Sequence, residues 1–409
     1  MVVTIHPKRL AGAVTPPPSK SMAHRFILCA ALTKGRSVIH SVALSQDILA
    51  TLGCIQALGA RWEQGAEGAL IITGRGGKPC PASLPAFDCG ESGSTLRFLI
   101  PIALAAAGGG VFTGRGRLME RPLKPYFHLF AEKGIACEQR DGVLTLRGSL
   151  PAGDYAIPGN VSSQFLTGLL LALPLAEGES RIMLTTPLES RDYVAMTVDV
   201  MTRFGAKVRQ EGETFFVSGG GYQSREDTVE ADWSQGAFWY AANFLDNPVD
   251  IRGLEPASLQ GDRAVAAHYW ALARPGDAEL DVSQCPDLLP PLALMAALRV
   301  GTCCLVNAAR LRLKESDRLA AVTVTLNALG AQVEEHPDSL TIHGVEALKG
   351  NVTLDCCNDH RIAMMAAIAA TKCAGPVSLT GAECVNKSYP DFWDHYRMLG
   401  GELDVLVSG

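Results

Sequence analysis

The feature that most constrains this chain is a recurrence. A short polar cap opening an apolar helix appears at Ser19-Lys20-Ser21-Met22, Ser92-Gly93-Ser94-Thr95 and Ser162-Ser163-Gln164-Phe165. It returns at Asp232-Trp233-Ser234-Gln235, Cys285-Pro286-Asp287-Leu288 and Asn358-Asp359-His360-Arg361. With positions 20, 92, 163, 234, 286 and 359 as markers, the intervals are 72, 71, 71, 52 and 73 residues. A near-constant period broken once means six copies of one structural unit.

A second marker agrees. Five segments carry a helix that ends in glycine before a strand, at Gly59, Gly134, Gly205, Gly330 and Gly400. Glycine is the residue expected where a helix stops in a left-handed conformation. Four of the hairpins that follow close through polar turns, such as Gln139-Arg140-Asp141-Gly142 and Glu335-His336-Pro337-Asp338. Between the two markers of each unit lies another polar cap opening a second helix. These caps are Ser45-Gln46-Asp47, Glu120-Arg121-Pro122, Ser190-Arg191-Asp192, Gln260-Gly261-Asp262, Glu315-Ser316-Asp317 and Ser388-Tyr389-Pro390-Asp391. Each unit therefore reads β-α-β-α-β-β. In the fourth, Arg274-Pro275-Gly276 passes almost directly to Leu280-Asp281-Val282, and a missing hairpin there explains the interval of 52.

Six units predict an α/β chain of two lobes, three units in each. The first lobe is expected over 19–227, and the second over 1–15 plus 228–409, recovering the N-terminal strand. The chain then crosses twice, near 16–18 and near 226–230, an arrangement that suits a hinge. At 409 residues, 47% hydrophobic and 19% charged, the composition is that of an ordinary globular protein. A net charge of −6 argues against non-specific nucleic-acid binding. The apolar stretches Leu99–Ala107 and Phe165–Ala176 are too short to span a bilayer. Met1 to Lys8 reads as a strand with no secretory core. Twelve cysteines include no CxxC, and the vicinal pairs Cys303-Cys304 and Cys356-Cys357 read as small buried residues. The expectation is a cytoplasmic protein without nucleic-acid or membrane partners and without a structural metal.

The chemistry sits at the caps. A structural cap needs only Ser, Thr, Asp or Asn. Here the caps also carry Lys20, Arg25, Arg97, Arg121, Lys314, Arg318, Arg361 and Lys387. Cations near helix N-termini oppose the dipole at about 0.3–1 kcal/mol each when exposed. Repeating that cost implies an anionic ligand, because free amides and cations together make an anion site. Two carboxylates stand among the cations. Asp287 reads either as a plain N-cap or as a proton-transfer group, and Glu315 either as a partner of Arg318 at i+3 or as a second one. No Walker loop or nucleophile elbow is present, and the glycines of 74–77 and 108–110 read as turns.

The ordered set Ser19-Lys20-Ser21 with Arg25, Gly93 with Arg97, Glu120-Arg121-Pro122, Ser162-Ser163-Gln164-Phe165, Lys314-Glu315-Ser316-Asp317-Arg318, Asn358-Asp359-His360-Arg361 and Lys387 with Pro390-Asp391 resembles the EPSP synthases. These are the 3-phosphoshikimate 1-carboxyvinyltransferases, a family of enolpyruvyl transferases, and the resemblance spans essentially the whole chain. It implies a two-lobed inside-out α/β fold of six βαβαββ units, with the fourth truncated. It implies transfer of the enolpyruvyl group of phosphoenolpyruvate to the 5-hydroxyl of shikimate 3-phosphate in the shikimate pathway, with no metal or organic cofactor and as a monomer. By resemblance, Lys20, Ser21, Arg25, Ser162, Ser163, Gln164, Ser190, Tyr193, Asp287 and Lys314 hold shikimate 3-phosphate. Lys20, Gly93, Arg121, Gln164, Arg318, Arg361 and Lys387 hold phosphoenolpyruvate. Asp287, Glu315, Lys314 and Lys20 are the catalytic set.

Three positions depart from the family pattern: Glu91, where many members have Asn; Arg310, where a neutral or acidic residue is common; and Phe98, where some have Pro. The sister enzyme that transfers enolpyruvate to UDP-N-acetylglucosamine typically carries a Cys in the loop matching 112–120, and here that loop has none. A non-catalytic phosphate-ligand-binding protein on the same scaffold is expected to lose its acid–base residues, yet Asp287, Lys314 and Glu315 all remain.

Overall fold

The computed structural model describes residues 1–76 and 83–406. The chain divides into two compact units, Pro18–Glu230 and Met1–Pro17 with Ala231–Gly409. The second unit resumes three residues beyond the expected 228, because β-pairing carries Thr228 against His40 and the Val229 amide donates to the His40 carbonyl.

In chain order, β1 (Val2–His6) and β2 (Gly12–Val14) precede the first helix. The first repeat holds α1 (Lys20–Ala31), β3 (Arg36–His40), α2 (Gln46–Ala57), β4 (Arg61–Gln64) and β5 (Leu70–Thr73). The second holds β6 (Ala86–Asp88), α3 (Gly93–Ala107), β7 (Gly109–Thr113), α4 (Lys124–Glu132), β8 (Ala136–Arg140) and β9 (Val143–Arg147). The third holds β10 (Asp154–Ile157), α5 (Ser163–Ala172), β11 (Glu179–Leu184), α6 (Arg191–Arg203), β12 (Lys207–Glu211) and β13 (Thr214–Ser218). After β14 (Glu226–Thr228), the fourth repeat has only α7 (Trp233–Phe244), β15 (Val249–Ile251) and α8 (Val265–Leu272). The fifth runs β16 (Ala278–Asp281), α9 (Leu289–Ala297), β17 (Thr302–Val306), α10 (Arg318–Ala328), β18 (Gln332–Glu335) and β19 (Leu340–His343). The sixth runs β20 (Val352–Asp355), α11 (His360–Ala370), β21 (Val377–Thr380), α12 (Phe392–Met398) and β22 (Glu402–Leu406).

Five sheets share one order: first strand, second, fourth, third, as in β6-β7-β9-β8. The first two strands pair parallel and the hairpin pairs antiparallel. Three strands are borrowed. β14 supplies the first strand of the first repeat, β2 that of the fourth, and β1 the missing fourth strand of the sixth. The fourth repeat is a two-stranded sheet, β15-β2, so the hairpin is absent as the short interval required.

The first helix of each repeat lies inside its unit. All eleven residues of α11 and all nine of α9 are buried, as are thirteen of the fifteen in α3. A helix apolar all round has no solvent face to offer, so it becomes the core, and the sheets pack outside it. Each unit has its own apolar core. The glycines that close the second helices all take positive φ: Gly59 101°, Gly134 68°, Gly205 80°, Gly330 93° and Gly400 88°. The Asp141-Gly142 turn has φ of 51° and 75°, the left-handed pair of a type I′ hairpin.

Cys303 and Cys356 are buried, but their neighbours Cys304 and Cys357 are half-buried and exposed. Cys304 lies in β17, where side chains alternate between faces, and Cys357 sits at φ 52° in the turn before α11. Of the glycines read as turns, Gly76 and Gly108 have positive φ, Gly109 and Gly110 instead open β7 and pair with Arg147 and Leu146, and Gly77 lies outside the described residues. Among the described residues no helix is long and apolar enough to cross a membrane.

Candidate active site

An interior of largely apolar helices leaves most of its charged groups near the helix starts, and the expected residues fall there in two groups, one per unit. In Pro18–Glu230, Ser19 caps α1, its hydroxyl accepting from the Met22 amide, and Lys20 and Ser21 occupy the first turn. The Lys20 ammonium donates to the Asp47 carboxylate at 2.8 Å. Arg25 is 2% exposed, and its guanidinium donates to Thr197 Oγ1 (2.8 Å), the Ser21 carbonyl (2.5 Å) and the Tyr193 carbonyl (2.9 Å). It lies over the ring of Phe98, one of the departures from the family pattern, at 5.3 Å. Burial lowers the Arg25 pKa to about 10, and it stays charged at neutral pH.

Three neighbouring cap residues interlock. Arg97 donates to Gln164 Oε1 at 2.6 Å and to the Pro122 carbonyl, and the Gln164 amide donates to Ser94 Oγ at 3.0 Å. Pro101, inside α3, has no N–H for the Arg97 carbonyl four residues back. The buried Tyr126 hydroxyl replaces it, 2.8 Å from that oxygen and 2.9 Å from the Phe165 carbonyl. The guanidinium of Arg121 rests on Gly93, where a Cβ would stand 2.6 Å from Nη1 and 3.0 Å from Cζ. Only glycine leaves that space. Ser162 caps α5 and Ser163 is buried behind it, while Ser190 sits at φ 53°, 2% exposed, at the start of α6. Sequence reasoning passed over Asp47 and Thr197, because a first-turn acid and a mid-helix threonine look unremarkable until burial is known.

The group in the other unit is built on carboxylates. Pro286–Leu288 is a short 3-10 turn whose N-cap position is Cys285, so Asp287 lies inside the turn and is not its cap. Its carboxylate instead takes Arg318 Nη1 at 2.7 Å, Arg361 Nη2 at 3.0 Å and Lys314 Nζ at 3.6 Å. Burial alone would raise the Asp287 pKa, but the Arg361, Lys314 and Arg318 charges outweigh it and hold the carboxyl well below its usual range. Burial lowers Lys314 to about 8, against the pull of Asp287. Arg318 is 1% exposed and meets three carboxylates, with Glu315 at 2.8 Å and Asp359 at 2.9 Å besides Asp287. The i+3 pairing of Glu315 with Arg318 is therefore present. Lys387, 4% exposed, donates to the Asn358 carbonyl at 2.7 Å.

Asp359 does more than the cap read from the sequence. One oxygen accepts from the Arg361 amide at 3.0 Å, the other from Ser316 Oγ and Arg318 Nε at 2.9 Å each, so one buried carboxylate joins α10 to α11. Asp262 was likewise read only as a cap. It is 3% exposed, and burial, then Asp287, raises it to about 7, with Arg361 opposing. The departure Arg310 donates to the Ser283 carbonyl. Among the described residues no group of three or more His, Cys, Asp or Glu is placed to hold a metal.

The family model of EPSP synthase (3-phosphoshikimate 1-carboxyvinyltransferase) matches residues 5–396. The chain belongs to the EPSP synthase family. A 3-phosphoshikimate 1-carboxyvinyltransferase of Clostridium kluyveri is 44% identical, covering 100% of this chain and 99% of its own length. That of Clostridium beijerinckii is 43% identical over 98% of each. Among solved structures, an EPSP synthase of Acinetobacter baumannii superposes with a TM-score of 0.79 at 25% identity, covering 99% of this chain and 100% of that one. The enolpyruvyl transferase NikO of Streptomyces tendae superposes equally well at 17% identity, which shows the shared fold. The inside-out fold of βαβαββ units is thus the family's fold.

Proposed function

We propose that this chain transfers the enolpyruvyl group of phosphoenolpyruvate to the 5-hydroxyl of shikimate 3-phosphate, releasing phosphate. Full-length relatives carry that activity in their names, and the three-cation clamp on Asp287 supports it most directly.

The reaction needs a proton delivered to the methylene carbon of phosphoenolpyruvate while the 5-hydroxyl oxygen bonds to C2 and gives up its own proton. The tetrahedral adduct then loses a proton from the new methyl and expels phosphate. Lys314, with a pKa near 8, has an amine form within reach of neutral pH and suits the hydroxyl proton. Asp287 is too acidic to take protons while three cations hold it. A phosphate or carboxylate that drew on Arg318, Arg361 and Lys314 would loosen that hold and raise its pKa. Asp287 and Glu315, in different surroundings, then take separate proton steps. Shikimate 3-phosphate is assigned to Lys20, Ser21, Arg25, Ser162, Ser163, Gln164, Ser190, Tyr193, Asp287 and Lys314. Phosphoenolpyruvate is assigned to Lys20, Gly93, Arg121, Gln164, Arg318, Arg361 and Lys387. A cytoplasmic monomer without metal or organic cofactor completes the reading.

The test is phosphate release from phosphoenolpyruvate with each acceptor in turn. Release with shikimate 3-phosphate and none with UDP-N-acetylglucosamine is expected. The reverse pattern, or release with neither, would overturn the assignment.

A further inference from the structure

The truncated fourth repeat leaves a second feature, away from the helix caps. In the complete repeats the second helix packs against the third strand: α2 on β4, α4 on β8, α6 on β12 and α10 on β18. α8 has no such strand, since its chain runs directly through Arg274-Pro275-Gly276 into β16. Its Trp270 stands 68% exposed. Beside it lies a cavity of about 400 Å³ lined by Arg9, Tyr240, Asn243, Asp246, Tyr269 and Trp270. That is room for one small organic ligand.

The walls are set in advance. Asn243 exchanges two hydrogen bonds with the backbone of Val249, and the Asn247 amide group donates to the Ala242 and Leu245 carbonyls. The aromatic rings brace one another: Tyr240 meets Tyr269 at 6.2 Å, and Tyr269 meets Trp270 at 5.2 Å, both edge-on. Both signs of charge stand at the opening, with Arg9 next to Asp246. Arg9 Nε donates to the Asp246 carbonyl at 2.6 Å, and among the described residues its two terminal nitrogens meet no protein acceptor. The Asp246 carboxylate is held at 2.8 Å by Lys372, stays ionised with its pKa lowered, and is 78% exposed.

We propose that this cavity binds a small zwitterion bearing an aromatic ring, an aromatic α-amino acid being the simplest. Its ring lies against Tyr269 and Trp270, its carboxylate takes the terminal nitrogens of Arg9, and its ammonium faces Asp246. Three kinds of wall fit three parts of one ligand: aromatic faces for a ring, a guanidinium fork for a carboxylate, and an exposed carboxylate for an ammonium. An aliphatic ligand would leave the rings unused, and a plain anion would leave the Asp246 carboxylate unused.

Isothermal titration of the full chain with L-phenylalanine or L-tryptophan tests this without reference to turnover. Saturable binding is expected, weakened at least about tenfold by either Trp270→Ala or Arg9→Ala. Both side chains are exposed, and unchanged phosphate release in each variant checks that the fold is intact. No saturable binding up to about 1 mM would overturn the proposal. Binding undiminished in both variants would also overturn it, by placing the ligand elsewhere. 3-Phenylpropionate, which lacks the ammonium, should bind more weakly than L-phenylalanine. Equal binding by the two would remove Asp246 and the zwitterion from the assignment.

Discussion

The two groups of helix-start cations differ in what they bond. In Pro18–Glu230, Arg25 and Arg97 donate to carbonyls, a hydroxyl and an amide oxygen, and Lys20 meets the Asp47 carboxylate. In the other unit Lys314, Arg318 and Arg361 converge on Asp287, with Glu315 and Asp359 adding to Arg318. The first arrangement fixes the guanidinium groups of Arg25 and Arg97 through neutral oxygens. The second is close to neutral and stores its charge in ion pairs that an incoming anion would have to compete for. One repeated scaffold thus supports two electrostatic designs, because the partner residue and not the cation decides how much charge remains.

The largest effect that probes this contrast is on stability. Arg318→Met leaves Asp287, Glu315 and the fully buried Asp359 without their common partner, so a loss of about 3–5 kcal/mol is expected in urea unfolding. Arg97→Met breaks the bonds to the Gln164 and Pro122 oxygens, and about 1–3 kcal/mol is expected. A larger loss from Arg97→Met than from Arg318→Met would refute the contrast.

Next comes turnover at Asp287. Because Cys285 and not Asp287 holds the N-cap position, Asp287→Asn removes no cap residue, yet it removes the charge and the proton affinity. A fall in kcat of at least roughly 100-fold is expected, with shikimate 3-phosphate binding better preserved. Should the variant keep more than about a tenth of wild-type kcat, the proton-transfer role fails.

A smaller effect is expected in Pro18–Glu230. Gly93→Ala puts a methyl 2.6 Å from Arg121 Nη1, so the guanidinium must shift. The KM for phosphoenolpyruvate should rise about tenfold, as a loss of about 1.4 kcal/mol requires. An unchanged KM would take Arg121 out of the phosphoenolpyruvate site.

The last effect is a pH slope. Lys314 is lowered from 10.5 to about 8 in the folded chain, so between those values the unfolded chain holds more protons. Stability then rises with pH across that window, since protonation favours the unfolded state there. Lys314→Met should remove that rise in denaturation measured from pH 8 upward. A slope that survives the substitution would assign it to another group.

Much of this molecule follows from local rules. A polar cap before an apolar run starts a helix, a glycine after it stops the helix, and a period of about 71 residues repeats the pair. The six first helices, five helix-ending glycines, the clipped fourth repeat and the cation-bearing caps were all legible for that reason. Tertiary structure decided what local pattern cannot encode. Nothing near residues 2–6, 12–14 or 226–228 says which sheet each strand joins, because strand pairing is set by which edge lies open in the fold. Likewise Asp47, Asp262 and Asp359 read as ordinary first-turn or cap acids. Burial and approach from distant helices turned Asp47 into the partner of Lys20, lifted Asp262 to about 7, and made Asp359 the joint between α10 and α11. Desolvation depends on everything packed around a group, and that sum exists only once the chain has folded.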